Sequence, residues 1–106
     1  MKKKRFIAIG LIVVLLLFCF GVIYYAKGMF YAYKVAAAFY KGNHDQMISC
    51  CNKAIELNPK YPEIFWFYYN RGFAYHGKGN LDQAISDYTK TIELNPEYVE
   101  AYYSRG

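Results

Sequence analysis

The chain has 106 residues, enough for one small domain. At 56% hydrophobic, 21% aromatic and 20% charged it does not have the composition of a disordered chain, and three cysteines are too few for a disulfide scaffold. Of the net charge of +5, Lys2, Lys3, Lys4 and Arg5 carry four; the remainder is close to neutral and lacks the electrostatic footprint that nucleic-acid binding requires.

The first predicted element is a membrane-spanning helix. Residues 6–26, FIAIGLIVVLLLFCFGVIYYA, contain no charge between Phe6 and Ala26. At about 1.5 Å per residue the run is about 30 Å long, the thickness of a bilayer's hydrocarbon core. Inside lipid a single segment satisfies all its backbone groups only as a helix. Tyr24 and Tyr25 fall at its far end, where amphipathic rings favour the interface. The basic cluster ahead of the run predicts a single pass through the cell (inner) membrane. The N-terminus then stays in the cytoplasm and the rest lies outside the cytosol, in the periplasm of a diderm bacterium. A cleaved secretory signal is the rival reading, but its apolar core is shorter, at about 7–15 residues, and ends at a small-x-small site. Around Gly21 and Ala26 the neighbours are bulky. A lipidated Cys19 is the third reading; Phe18 stands there where a small residue is expected. Gly10 and Gly21 do not form GxxxG, so no helix-dimer motif is present.

The remainder repeats itself. An offset of 37 lays residues 41–63 over residues 78–100, with 15 of 23 pairs identical, and this marks a duplicated structural unit. In the second copy, Asn80 is a predicted helix cap with Gln83 at the capping-box position; Asn43 and Gln46 repeat the arrangement. Leu81, Ala84, Ile85, Tyr88 and Ile92 form a helical stripe. Asn95-Pro96 ends that helix, as Asn58-Pro59 ends its earlier copy. The preceding helix is predicted from about Pro62, a favoured first position, to His76, with Gly77-Lys78-Gly79 terminating it. It carries two apolar stripes: Phe65, Tyr68, Gly72 and Tyr75 on one side, Trp66, Tyr69, Phe73 and His76 on the other. Two stripes predict packing on both sides, or packing on one and ligand contact on the other.

These residues resemble the tetratricopeptide repeat (TPR), a helix–turn–helix unit of about 34 residues with the pattern W-x2-L-G-x2-Y, A-x3-F, P. Here Tyr68-x2-Arg71-Gly72-x2-Tyr75 is followed by Ala84-x3-Tyr88 and Pro96. Tyr68 replaces the Trp, Arg71 the Leu and Tyr88 the Phe. The first copy is degenerate. Tyr31, Lys34, Val35 and Ala38 stand at the first four positions, Met47 and Cys51 at the next two, and Pro59 alone with the KGN turn is clean. Three more residues separate Pro59 from Gly72 than separate Pro96 from Gly106, so the central unit begins with nearly an extra helical turn. A third copy opens with Tyr102-x2-Arg105-Gly106 and is read as the front of a longer array, with a short cap as the alternative. The expected fold is all-α. Residues 1–27 form a basic stub and transmembrane helix, 28–61 a degenerate unit, 62–98 a second unit and 99–106 the start of a third. Whether the first helix continues past Gly28 stays open.

The resemblance implies a superhelix whose first helices line a concave groove that holds a peptide or a partner helix. Carried onto this chain, the groove-facing candidates are Trp66, Tyr69, Phe73 and His76, with plain core as the alternative. The chaperone-tail clamp of one TPR subset is not expected, because Tyr69 and Phe73 stand where it needs polar residues. Cys50 and Cys51 point about 100° apart on a helix and are expected to act as small core hydrophobes rather than as a bridge. His44 and His76 are each alone, so no metal ligation is expected. The acidic residues fit solvated helix faces, and no catalytic motif is present. The expected function is that of a membrane-anchored TPR protein binding a protein or peptide partner as scaffold or assembly factor. It has no cofactor, no metal, no nucleic acid and no catalysis. The alternatives are a docking module of a longer enzyme and a secreted or lipidated TPR protein.

Overall fold

The computed structural model describes residues 2–98 and 101–102. Four α-helices account for almost all of them: α1 (Lys2–Lys41), α2 (His44–Leu57), α3 (Ile64–Gly77) and α4 (Leu81–Leu94). No strand occurs among the described residues. The third unit expected over residues 99–106 lies, apart from Ala101 and Tyr102, outside the described residues.

By internal contacts the chain divides into Met1–Phe30 and Tyr31–Gly106. The first unit is helical throughout its described length, and its apolar side chains stay uncovered: Leu16 is 64% exposed and Phe18 68%. By length and composition α1 is the one described helix able to cross a bilayer. Gly28 does not interrupt it.

The second unit is built by repetition. The KGN tripeptide ends one helix and starts the next. Gly42 (φ 68°) and Gly79 (φ 84°) take the left-handed conformation that a side chain disfavours. This lets the N–H of the following Asn reach back to the carbonyl five residues earlier: Asn43 to Ala38 at 2.9 Å and Asn80 to Tyr75 at 2.9 Å. Asn43 then caps α2, its Oδ1 accepting from the Gln46 N–H at 3.0 Å. The same cap, expected at Asn80, is not made by its side chain; only its backbone carbonyl accepts, from Ala84 at 3.1 Å. The Asn-Pro stops are also duplicated. Asn58 and Asn95 each donate a backbone N–H to the preceding helix and accept from the N–H two residues on, at 3.2 Å in both cases.

Expectations for α3 and α4 also need correction. First, α3 starts at Ile64, not Pro62, which lies in the turn before it. The Ile64 N–H bonds to the Tyr61 carbonyl at 2.9 Å, so Tyr61–Glu63 close as a turn before helical geometry begins. Second, the side of α3 that packs on α2 is neither of the two stripes read from sequence. It is a third stripe, Ile64, Phe67 and Ala74, each at most 4% exposed. These join Val35, Ala38, Met47, Cys50, Cys51 and Ala54 in one buried cluster. Cys50 and Cys51 are free thiols there, and burial pushes the Cys51 thiol up to about 12.

On α4 the buried face is rotated from the predicted one. Ala84 and Tyr88 are buried as expected, but Leu81 is 54% and Ile85 47% exposed, while Asp87 and Thr91 are buried. Gly72 explains the tight α3–α4 approach: a Cβ there would lie 3.0 Å from the Tyr88 ring and 3.1 Å from Asp87 Cβ.

If Phe67 is the anchor of the α2–α3 contact, Phe67→Ala lowers unfolding free energy by about 3–5 kcal/mol, as a large buried truncation does. Tyr40→Ala, at an 86% exposed position, changes it by less than about 0.5 kcal/mol. Urea denaturation of the detergent-solubilised chain, followed by circular dichroism, measures both.

Candidate functional site

The concave candidates come from a single arc of α3, since Trp66, Tyr69, Phe73 and His76 recur at three- and four-residue spacing. Their surroundings differ. Trp66 is half-buried against the α2–α3 cluster, its ring edge-on to Phe67 at 5.2 Å. Phe73 is half-buried too and meets Phe39 of α1 at 5.4 Å and His44 at 6.4 Å. Tyr69 turns the other way, to Tyr88 at 5.6 Å and Tyr98 at 5.1 Å. His76 is exposed. Aromatic rings thus lie on both sides of α3, with Phe73 towards α1 and α2 and Tyr69 towards α4, and Phe39, which is 47% exposed, extends the first group. Sequence reasoning missed Phe39. The spacing of Phe39 from Tyr31, the same as that of His76 from Tyr68, could have found it.

Trp66, Tyr69, Phe73 and Phe39 are not acidic or basic side chains, and an amide beside them is already engaged. Asn70 lies between Tyr69 and Arg71, and its Nδ2 donates to the Trp66 carbonyl at 2.8 Å. The arrangement offers ring faces and edges to an apolar or aromatic ligand and holds no nucleophile with a base. Among the described residues no group of His, Cys, Asp and Glu could hold a metal ion.

The charges are concentrated elsewhere. Arg71 donates to Asp87 through two guanidinium nitrogens, Nε to Oδ2 at 2.9 Å and Nη2 to Oδ1 at 2.7 Å. Its remaining arm donates to Asn52 Oδ1 of α2 at 2.9 Å, and the guanidinium lies over the Tyr68 ring at 5.2 Å. One side chain thus joins α2, α3 and α4. The Asp87 hydrogen bond holds the Arg71 pKa above its ordinary value against the opposing effect of burial. Asp87, at 4% exposure, corrects the expectation that the acidic residues lie on solvated faces. Lys78, past the end of α3, pairs with Asp45 in the first turn of α2 and lowers its carboxyl pKa, chiefly through the hydrogen bond.

The repeat positions fall into place around this frame. Tyr68 and Tyr75 are half-buried on α3, Gly72 faces Tyr88, Ala84 is buried on α4, and Pro59 and Pro96 occupy equivalent turns. A family model described as Tetratricopeptide repeat matches residues 65–98, and a second with the same description matches residues 36–61. Together they cover more than half of the chain. No curated protein matches it.

Arg71→Leu restores the apolar residue of the repeat pattern but strands Asp87 in a buried site. It is expected to cost about 3–5 kcal/mol, with most of the loss recovered when Asp87→Leu is added. A double-mutant cycle in urea checks this. Cys51 supplies a pH test. The fold favours its neutral thiol, so that contribution is intact below the ordinary thiol value of about 8.5 and is lost as pH rises towards 12. At pH 8 the folded chain should leave Cys51 unalkylated by iodoacetamide, and urea should expose it to rapid labelling, as read by peptide mass spectrometry.

Proposed function

Because this chain belongs to the tetratricopeptide repeat family, we propose that it is a single-pass membrane protein whose repeat region binds a protein partner, as a scaffold or assembly factor without catalysis of its own. The observation that carries the binding half is the uncharged aromatic run over Phe39, Trp66, Tyr69 and Phe73. It is made of half-buried and exposed rings on the helices that carry the first position of each pair. A closed core would cover such rings, and a merely solvated surface would not gather them. Aromatic residues of this kind dominate binding hot spots.

The membrane half rests on residues 6–26. They are uncharged, long enough to span lipid, helical, and uncovered by any other part of their own unit. The basic residues 2–5 favour a cytoplasmic N-terminus, which puts the repeat region on the far side of the cell membrane.

Two measurements test the proposal. The intact chain should resist extraction by alkaline carbonate and retain Met1 or Lys2 as its N-terminal residue. Release into the soluble fraction with a shortened N-terminus contradicts anchoring. Pulldown from solubilised membranes should recover a partner with the parent chain and lose most of it with Phe39→Ala and with Phe73→Ala, helicity being checked in parallel. Unchanged recovery from both folded variants removes the aromatic run as the binding surface.

A further inference from the structure

The last third of α1 has an open side, and the charges beside it are ordered. Val35 and Ala38 belong to the buried cluster. On the opposite side Phe30, Tyr33, Ala37 and Tyr40 follow one another at three- and four-residue steps, the spacing of a helix-pairing seam. Tyr33 is 74% exposed, Tyr40 86% and Phe30 52%. At the offset of 37, Phe30 and Ala37 correspond to Phe67 and Ala74 of α3, which α2 covers. Ahead of this stretch the chain is α1 itself, so among the described residues no preceding unit supplies the helix that α2 supplies to α3. Lys27, Lys34 and Lys41 recur every seven residues, close to two helical turns, and so form one row. All three are exposed. The row follows Ala26, Tyr33 and Tyr40 by one position and flanks the seam on one side. Met29 and Ala36, on its other flank, carry no charge.

From this we infer that two copies of the chain pair in parallel along this side of α1. The lysine row sets the direction. In a parallel pair the flank after one seam faces the flank before the other, so Lys34 of one copy meets Met29 of its neighbour and Lys41 meets Ala36. The long stems lie over these neutral side chains and the ammonium heads stay in water. In an antiparallel pair the two lysine rows lie against each other, and like charges repel. Ala37 leaves room between Tyr33 and Tyr40 for the rings of the second helix. The pairing rests on the membrane half of the proposed function in one respect: a shared bilayer holds both copies parallel and level. Lipid itself is the poorer occupant. From Ala26 α1 runs on to Lys41, about 22 Å, whereas headgroups extend only roughly 5–8 Å beyond the hydrocarbon core. Three rings from each copy, at about 150–250 Å² apiece, offer on the order of 1,000 Å², near what a specific interface needs. The contact is two-fold and closes at two copies.

The test uses the full chain in membranes, with Cys19→Ser removing the exposed thiol while Cys50 and Cys51 stay buried. Single cysteines are introduced and oxidised with copper phenanthroline. Tyr33→Cys and Tyr40→Cys are each expected to join their own counterpart as a dimer. Lys34→Cys is expected to join itself weakly, and to give a mixed dimer with Met29→Cys in a differently tagged copy. Lys53→Cys, exposed on α2, is the control. All these positions are exposed, and helicity by circular dichroism verifies each fold. Detergent dilutes the copies apart, so Tyr40→Ala leaves the unfolding free energy measured there unchanged while lowering the Tyr33→Cys dimer in membranes. No dimer from Tyr33→Cys above the Lys53→Cys control overturns the inference. So does a Lys34→Cys dimer stronger than that of Tyr33→Cys, or capture of a different protein at Tyr33→Cys. No dimer with Tyr33→Cys shielded from a water-soluble maleimide gives the face to lipid and overturns it too. Carbonate extraction of the same membranes reads anchoring separately: a resistant chain without the dimer fails the pairing alone. Because Phe39 and Phe73 lie off the seam, a failed pulldown at the aromatic run leaves this result unaffected.

Discussion

The fold depends on α3 being covered from two sides at once. Ile64, Phe67 and Ala74 bury against α2, while Gly72 lets Tyr88 of α4 approach within contact of the backbone. Helices of 14 residues are marginal alone and gain their stability from such neighbours. A helix clamped on two sides keeps little of its surface open: His76 of α3 is exposed, while Trp66 and Phe73 are half-buried against the α2–α3 cluster and Tyr69 against Tyr88. The proposed binding surface is what stacking leaves uncovered of these rings.

The electrostatics reinforce this division. A repeat pattern that wants an aliphatic residue at position 71 has Arg71 instead, and the chain answers with Asp87, buried and doubly hydrogen-bonded, and with Asn52 from the preceding unit. Removing either ionic partner alone leaves a desolvated charge, so the pair ties the register of three helices to one another. Lys78 and Asp45 add a second, exposed tie between the start of α2 and the end of α3. Trp66, Tyr69, Phe73 and Phe39 add no acidic or basic group of their own. That suits them to apolar contact, and it distinguishes this surface from one built to grip an acidic tail.

Much of this was legible in the residues. The 37-residue duplication, the KGN turns and the Asn-Pro stops placed the second helix of each pair closely, because turn chemistry is local: glycine takes φ near 68° or 84° at no steric cost, and Pro cannot continue a helix. Packing partners were harder to read. Phe67 and Ala74 belong to no obvious stripe in a helix where nearly every side chain is aromatic or apolar, so periodicity could not say which third of it meets α2. Asp87 looked like a solvated acid, since nothing in its own neighbourhood in sequence marks Arg71, sixteen residues earlier, as its partner. The α4 stripe was read through Leu81 and Ile85, but burial follows Ala84, Asp87, Tyr88 and Thr91. Tertiary pairing had replaced an apolar contact by an ionic one.

The central claim is that the aromatic arc, and not the charged joints, is where another protein is held. Site-specific photocrosslinking in living cells tests it most directly, with a benzophenone amino acid placed at Phe39 or His76 on the arc, and at Lys53 on the exposed face of α2. The account predicts a discrete adduct with another protein from Phe39 and His76 and none from Lys53. Adducts of equal yield from all three positions, or from Lys53 alone, would contradict it.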